Sequence, residues 1–81
     1  MDKPNPFRLE QEYYMPMGEY IENGEYKFLF PDNVIYDRAE AFRIASIYAN
    51  KPFVTRAWID HRLKNGLIMQ IPVPRMELGE L

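Results

Sequence analysis

The chain has 81 residues, a single histidine, no cysteine and a net charge of −2, which fits one small domain spanning residues 1–81. The composition excludes a disulfide framework and thiolate metal sites, and one histidine cannot form a zinc site alone. The longest apolar runs are far shorter than the roughly 20 residues needed to span a bilayer, and the N-terminus has no signal-peptide pattern. We therefore expect a cytoplasmic protein that makes no membrane contact.

The charge is divided unevenly along the chain. Residues 1–37 carry a net charge of −5, residues 38–75 a net charge of +5, and the remaining tail −2. Such a division is typical of a basic functional surface or an acidic arm. It is equally compatible with two halves that pair with each other in the fold.

The first predicted element is a β-hairpin. Residues 1–12 are polar and carry two prolines, so they are predicted to form a flexible N-terminal arm. The Asn23-Gly24 step then predicts a type I′ turn between strands near 17–22 and 25–30. Pairing residues whose numbers sum to 47 puts Met17, Glu19 and Ile21 opposite Phe30, Phe28 and Tyr26. This face is more apolar than the one with Tyr20, Lys27 and Leu29, so it is predicted to be the buried face.

The next predicted element is a helix over residues 38–49. Asp37 and Glu40 fit a capping box at its start, and apolar residues follow at helical spacing. Asn50 can take the left-handed position after the last turn, and Pro52 prevents continuation. The alanines of this helix would let it lie close to a sheet.

Residues 53–63 fit two interpretations. As a strand, they form a second hairpin through Asn65-Gly66 with a strand near 67–72, giving a small α+β domain of order ββαββ with one helix on an antiparallel sheet. As a helix over 55–64, with Thr55 as its N-cap, they complete a helix-turn-helix with a β wing. The β-rich start of the segment favours the strand. Pro72 and Pro74 then place the last strand at a sheet edge, and residues 75–81 are predicted to be a frayed tail.

The residue types and their spacing do not indicate a group of catalytic residues. His61 is the only imidazole, and the adjacent Asp60 would point to the opposite face of a strand. The capping box accounts for the close pair Asp37 and Glu40. No spacing resembles a calcium loop, a phosphate-binding glycine loop or a zinc motif. We therefore predict a non-enzymatic protein without a cofactor or a metal.

The predicted partner-binding residues are Arg56, Trp58, Arg62 and Lys64, with Tyr20 as an extension on the first hairpin. Strand alternation puts the first three on one face. An exposed tryptophan beside arginines is typical of protein-binding hot spots and can also stack on nucleic-acid bases. The simpler interpretation is that Trp58 belongs to the core and the basic residues form a solvated rim.

The sequence thus favours a small protein-binding regulator or inhibitor. Six tyrosines and five methionines support a protein partner, and dimerisation would stabilise so small a domain. A phage-encoded accessory protein that blocks a host factor or a defence complex fits this description. The alternative is a small DNA-binding transcriptional regulator that uses residues 38–64. The acidic balance of the chain disfavours non-specific nucleic-acid binding.

Overall fold

The computed structural model describes residues 11–76, which form four strands and one helix. The elements in chain order are β1 (Tyr13–Glu22), β2 (Glu25–Leu29), α1 (Arg38–Ala49), β3 (Val54–Arg62) and β4 (Ile68–Val73). The strands form one antiparallel sheet of order β2-β1-β3-β4, and α1 packs on one of its faces. This confirms the ββαββ prediction, and the helix-turn-helix alternative is wrong because residues 54–62 are a strand. The expectations for residues 1–10 and 77–81 lie outside the described residues.

The first hairpin has the predicted turn and the predicted register. Asn23 and Gly24 have φ of 53° and 80°, as a type I′ turn requires. Glu19 faces Phe28 and Ile21 faces Tyr26, as the pairing sum of 47 predicts. β1 begins earlier than predicted, at Tyr13, and contains Pro16.

Pro16 is compatible with this strand because its nitrogen points away from β3. The N–H and C=O of Tyr14 both bond to Ile35, so Tyr14 and Pro16 direct their backbone polar groups to the side that β2 occupies further along the strand. β2 pairs only with residues 18–22 of β1, and no ladder bond is lost at Pro16.

The second hairpin does not repeat the two-residue type I′ turn of the first, although both contain an Asn-Gly step. Leu63 accepts a bond from the Gly66 N–H at 2.9 Å and donates its own N–H to the Leu67 carbonyl at 2.8 Å. Gly66 alone takes a positive φ, of 90°, so the loop has three residues, with glycine in the left-handed position. The Asn65 side chain accepts the Leu67 N–H at 3.0 Å, which stabilises this geometry.

The helix has the predicted bounds, but its capping interactions differ from the predicted ones. Asp37 has an extended N-cap backbone and its side chain makes no capping hydrogen bond. Glu40 pairs with Arg43, one turn further on, so the predicted capping box is wrong. Asn50 has a right-handed φ of −89° and caps the helix with its side-chain amide, which donates to the Ser46 carbonyl.

Small side chains bring α1 close to the sheet. Ala41, Ala45 and Ala49 recur every four residues and are buried against Ala57, Ile59 and Val73. Across from them, a β-carbon on Gly18 would lie only 3.0 Å from the Tyr48 β-carbon. Burial of the Tyr48 side chain, together with the Asp32 carboxylate, raises the pKa of its hydroxyl.

This packing covers the opposite face of the sheet from the one predicted to be buried. Ile21, Tyr26 and Phe28 are 53%, 67% and 45% exposed. The reason is steric, because the alanine-lined helix fits over Gly18 and Ala57 but not over Trp58 and Phe28. We call the uncovered side the open face. Its residues are Tyr13, Met15, Met17, Glu19 and Ile21 of β1, Tyr26 and Phe28 of β2, Arg56, Trp58, Asp60 and Arg62 of β3, and Ile68, Gln70 and Pro72 of β4.

The close approach of the helix gives a stability prediction. Gly18→Val should lower the free energy of unfolding by about 1–3 kcal/mol, because the added atoms collide with Tyr48. Ala39→Val, on the exposed side of α1, is the control and should cost no more than about 0.7 kcal/mol in helix propensity. Urea titrations would measure both, and equal effects would contradict the close contact.

Candidate functional site

The open face is built from rows of side chains that run across the strands. One row joins Phe28, Glu19 and Arg56 from β2, β1 and β3. The next row joins Met17, Trp58 and Pro72 from β1, β3 and β4. The face therefore combines aromatic, aliphatic and charged groups within one continuous surface.

Arg56 is held in place by two contacts at the centre of the open face. Its Nε donates to Glu19 Oε2 at 2.8 Å, and its guanidinium carbon lies 4.5 Å from the centroid of the Trp58 ring. Glu19 is buried, while the arginine side chain remains largely exposed. This ion pair joins the acidic first part of the chain to the basic second part. Arg56 thus presents a fixed planar donor to any partner.

Trp58 lies beneath Arg56 and is not the exposed side chain that we predicted. It is only 8% exposed, and Phe28 packs edge-on against it with ring centroids 6.3 Å apart. Its Nε1 donates to Asp60 Oδ1 at 2.9 Å, which satisfies the one polar atom of the indole. Trp58 is therefore the floor of the open face, and Arg56 and Phe28 form its surface.

The other predicted binding residues occupy different places. Arg62 shares the open face, with its guanidinium 6.0 Å from the Tyr13 ring centroid. Lys64 is exposed in the loop between β3 and β4. Tyr20 lies on the helix-covered side, edge-on to Phe53, and does not extend the open face. The structure thus brings together Arg56, Trp58 and Arg62 and separates Tyr20 from them.

The exposed apolar residues of the first hairpin are not predicted as a site by the sequence. The apolar pattern puts Ile21, Tyr26 and Phe28 on the buried side, although their predicted register is correct. Alternation identifies which side chains share a face, but it does not identify the face that the helix covers. The small residue Gly18, on the other face of β1, was the available signal.

His61 makes a structural contact on the helix-covered side. Its Nε2 lies 2.9 Å from Glu12 Oε1, and its ring stacks on Tyr14 with centroids 4.4 Å apart. Glu12 belongs to the predicted arm and is joined here to the end of β3. Among residues 11–76, no group of three or more His, Asp or Glu side chains could hold a metal ion. In the same part of the chain, no helix is long and apolar enough to cross a membrane.

A groove of about 680 Å³ lies where the end of α1 meets the ends of β3 and β4, lined by Pro52, Val54, Pro72 and Arg75 among others. Arg75 donates to the carbonyls of Ala49, Lys51 and Val54 at 2.9–3.1 Å. These bonds satisfy carbonyl groups from the end of α1 to the start of β3 and fix the residue at which the predicted tail begins. In the described part of the chain, Arg75 makes three hydrogen bonds to backbone carbonyls, whereas Arg56 makes one, to Glu19, so the groove is a weaker candidate site than the open face.

Comparison with protein-family models, with curated proteins and with solved structures finds no match to the chain. The geometry of the open face is therefore the basis on which a function can be proposed.

The burial of Trp58 gives a second prediction. Trp58→Ala should destabilise the protein by about 3–5 kcal/mol, because it removes a buried ring and leaves a cavity under Arg56. Tyr26→Ala, which truncates an exposed aromatic of the same face, is the control and should change stability by less than about 1 kcal/mol. Denaturation followed by circular dichroism measures both. A native-like stability for Trp58→Ala would mean that the indole is not packed as described.

Proposed function

We propose that the protein is a small non-enzymatic regulator or inhibitor that binds another protein through the open face. The observation that carries this proposal is the group of exposed apolar side chains, Ile21, Tyr26 and Phe28, next to the anchored Arg56. Contiguous exposed apolar groups of this kind are typical of interaction surfaces. Aromatic residues and arginine are also the types that contribute most to binding when they are central in an interface.

The contacts of Arg56 favour binding because they reduce its cost. An arginine that is already held by Glu19 and by the Trp58 ring loses little rotamer freedom when a partner docks. Phe28 is similarly restrained by its edge contact with the indole. The centre of the open face is thus preorganised, which is typical of hot spots from which a bound partner excludes water.

The chemistry of the face indicates the chemistry of the partner. A matching surface would present apolar side chains to Tyr26 and Phe28 and a carboxylate to Arg62, whose guanidinium can donate bidentate hydrogen bonds. The charges of the face alternate, because Glu19 and Asp60 lie among the arginines. Alternating charges select the register of a partner rather than attract a uniformly charged one.

The same alternation disfavours the DNA-binding alternative. Affinity for nucleic acid depends on an excess of cations that displace counterions from the phosphates. Here Glu19 neutralises Arg56, and residues 54–62 supply a strand instead of a recognition helix. We therefore retain a cytoplasmic protein-binding role. In a phage it would take the form of an accessory protein that blocks a host factor or a defence complex.

Capture from cell extract with matched variants tests this proposal. Wild-type protein, Tyr26→Ala and Arg56→Ala would be immobilised, and Ile47→Ala, on an exposed site of α1, would serve as the control. One partner should be retained by the wild type and the control and should bind both open-face variants at least about tenfold more weakly.

Two further conditions make the result decisive. Circular dichroism must show that each variant is folded, and a nuclease-treated arm must retain the same partner. Loss of capture with nuclease would support nucleic-acid binding instead. Loss with Ile47→Ala but not with the open-face variants would place the partner on the helix and contradict the proposal.

A further inference from the structure

The two edges of the sheet are protected very differently. β4 has Pro72 within the strand, and Pro74 follows it. Leu63 and Leu67 form a hydrogen-bonded pair at the end of the hairpin. Every second residue of β4 after Leu67 therefore directs its backbone N–H and C=O groups to β3, namely Met69, Ile71 and Val73. The nitrogen of Pro72 therefore points to the free edge, where it blocks the pairing of another strand.

The free edge of β2 has no proline within the strand. The two-residue turn makes Glu22 and Glu25 a hydrogen-bonded pair, so Tyr26 and Phe28 direct their N–H and C=O groups away from β1. β2 contains no proline, and its pairing with β1 has no bulge. Within residues 11–76, no other strand pairs with this edge. Both outward-facing residues also carry exposed aromatic side chains.

We propose that the β2 edges of two copies of this chain pair antiparallel about a two-fold axis and form one continuous sheet of eight strands. A second copy fits this edge because the same edge of each copy takes part, so the assembly stops at two chains. Head-to-tail pairing of β2 with β4 would instead generate open filaments, and Pro72 blocks that arrangement. This inference concerns the edge of the sheet and does not depend on the proposed partner of the open face.

The side chains select one register for the two β2 strands. Pairing Phe28 with Phe28 of the second copy puts Tyr26 opposite Phe30 of that copy, one residue beyond the end of β2, and makes three aromatic cross-strand pairs. Aromatic cross-strand pairs of this kind are favourable. Moving the centre of the pairing from Phe28 to Lys27 would put Lys27 opposite Lys27 of the second copy, where like charges repel each other. The Phe28 register avoids this contact.

The dimer would enlarge the open face and support a small core. A two-fold axis perpendicular to the sheet keeps both α1 helices on one side and both open faces on the other. Ile59 and Pro16 are the largest fully buried side chains of the described chain, and alanines make up much of the rest of the core. Pairing of the edges adds buried area that such a small domain lacks.

A single-cysteine crosslink tests the register, because the chain has no cysteine of its own. Residues in a hydrogen-bonded antiparallel pair have α-carbons about 5.5 Å apart, within the range of a disulfide. Phe28→Cys should therefore be converted to a disulfide-linked dimer under mild oxidation. Ile68→Cys, similarly exposed on the β4 edge, is the matched control and should remain monomeric on a non-reducing gel. Equal crosslinking of the two variants would overturn the proposal.

Sedimentation velocity tests the pairing without a crosslink. The wild type should sediment with twice the mass of the chain. Tyr26→Pro should be a monomer, because it removes an outward N–H without touching a bond to β1. Gln70→Pro makes the same change on the β4 edge and should remain a dimer. A monomeric wild type, or a Tyr26→Pro variant that is folded and dimeric, would overturn the proposal.

Discussion

The close contact between α1 and the sheet determines the rest of the structure. Ala41, Ala45 and Ala49 present almost no side chain, and Gly18 leaves room for Tyr48. A helix of this kind packs closely only on a face with small residues. It therefore covers the side of the sheet with Gly18 and Ala57 and leaves Trp58, Tyr26 and Phe28 on the other side. The position of the open face follows from this steric choice.

The open face is held in place by contacts among its own side chains, since the helix does not cover it. Arg56 covers the Trp58 ring, Phe28 closes its side, and Glu19 neutralises the arginine. The result is a surface whose centre is rigid and whose periphery, at Ile21 and Tyr26, is exposed and apolar. These are the features that a protein-binding surface needs before it meets a partner. The free edge of β2 adjoins the same periphery.

The order of the elements and the first register were predictable because they depend on local signals. Asn23-Gly24 fixes the turn, and a two-residue turn fixes the pairing of Glu19 with Phe28. The covered face was not predictable from alternation, because it depends on Gly18 and Tyr48, which are far apart in sequence. The capping box failed because Arg43 competes for Glu40. The burial of Trp58 depends on Phe28, which lies two strands away, so Trp58 had the pattern of an exposed residue.

The most direct test of this account is which isoleucine methyl groups are open to solvent. A soluble paramagnetic probe, added to protein with labelled isoleucine methyl groups, relaxes exposed methyls in NMR spectra and spares buried ones. Ile21 and Ile68, on the open face, are 53% and 49% exposed, whereas Ile59 under α1 is 0% exposed. The account predicts strong relaxation of Ile21 and Ile68 and protection of Ile59. Protection of Ile21 together with relaxation of Ile59 would show that the helix covers the other face and would contradict it.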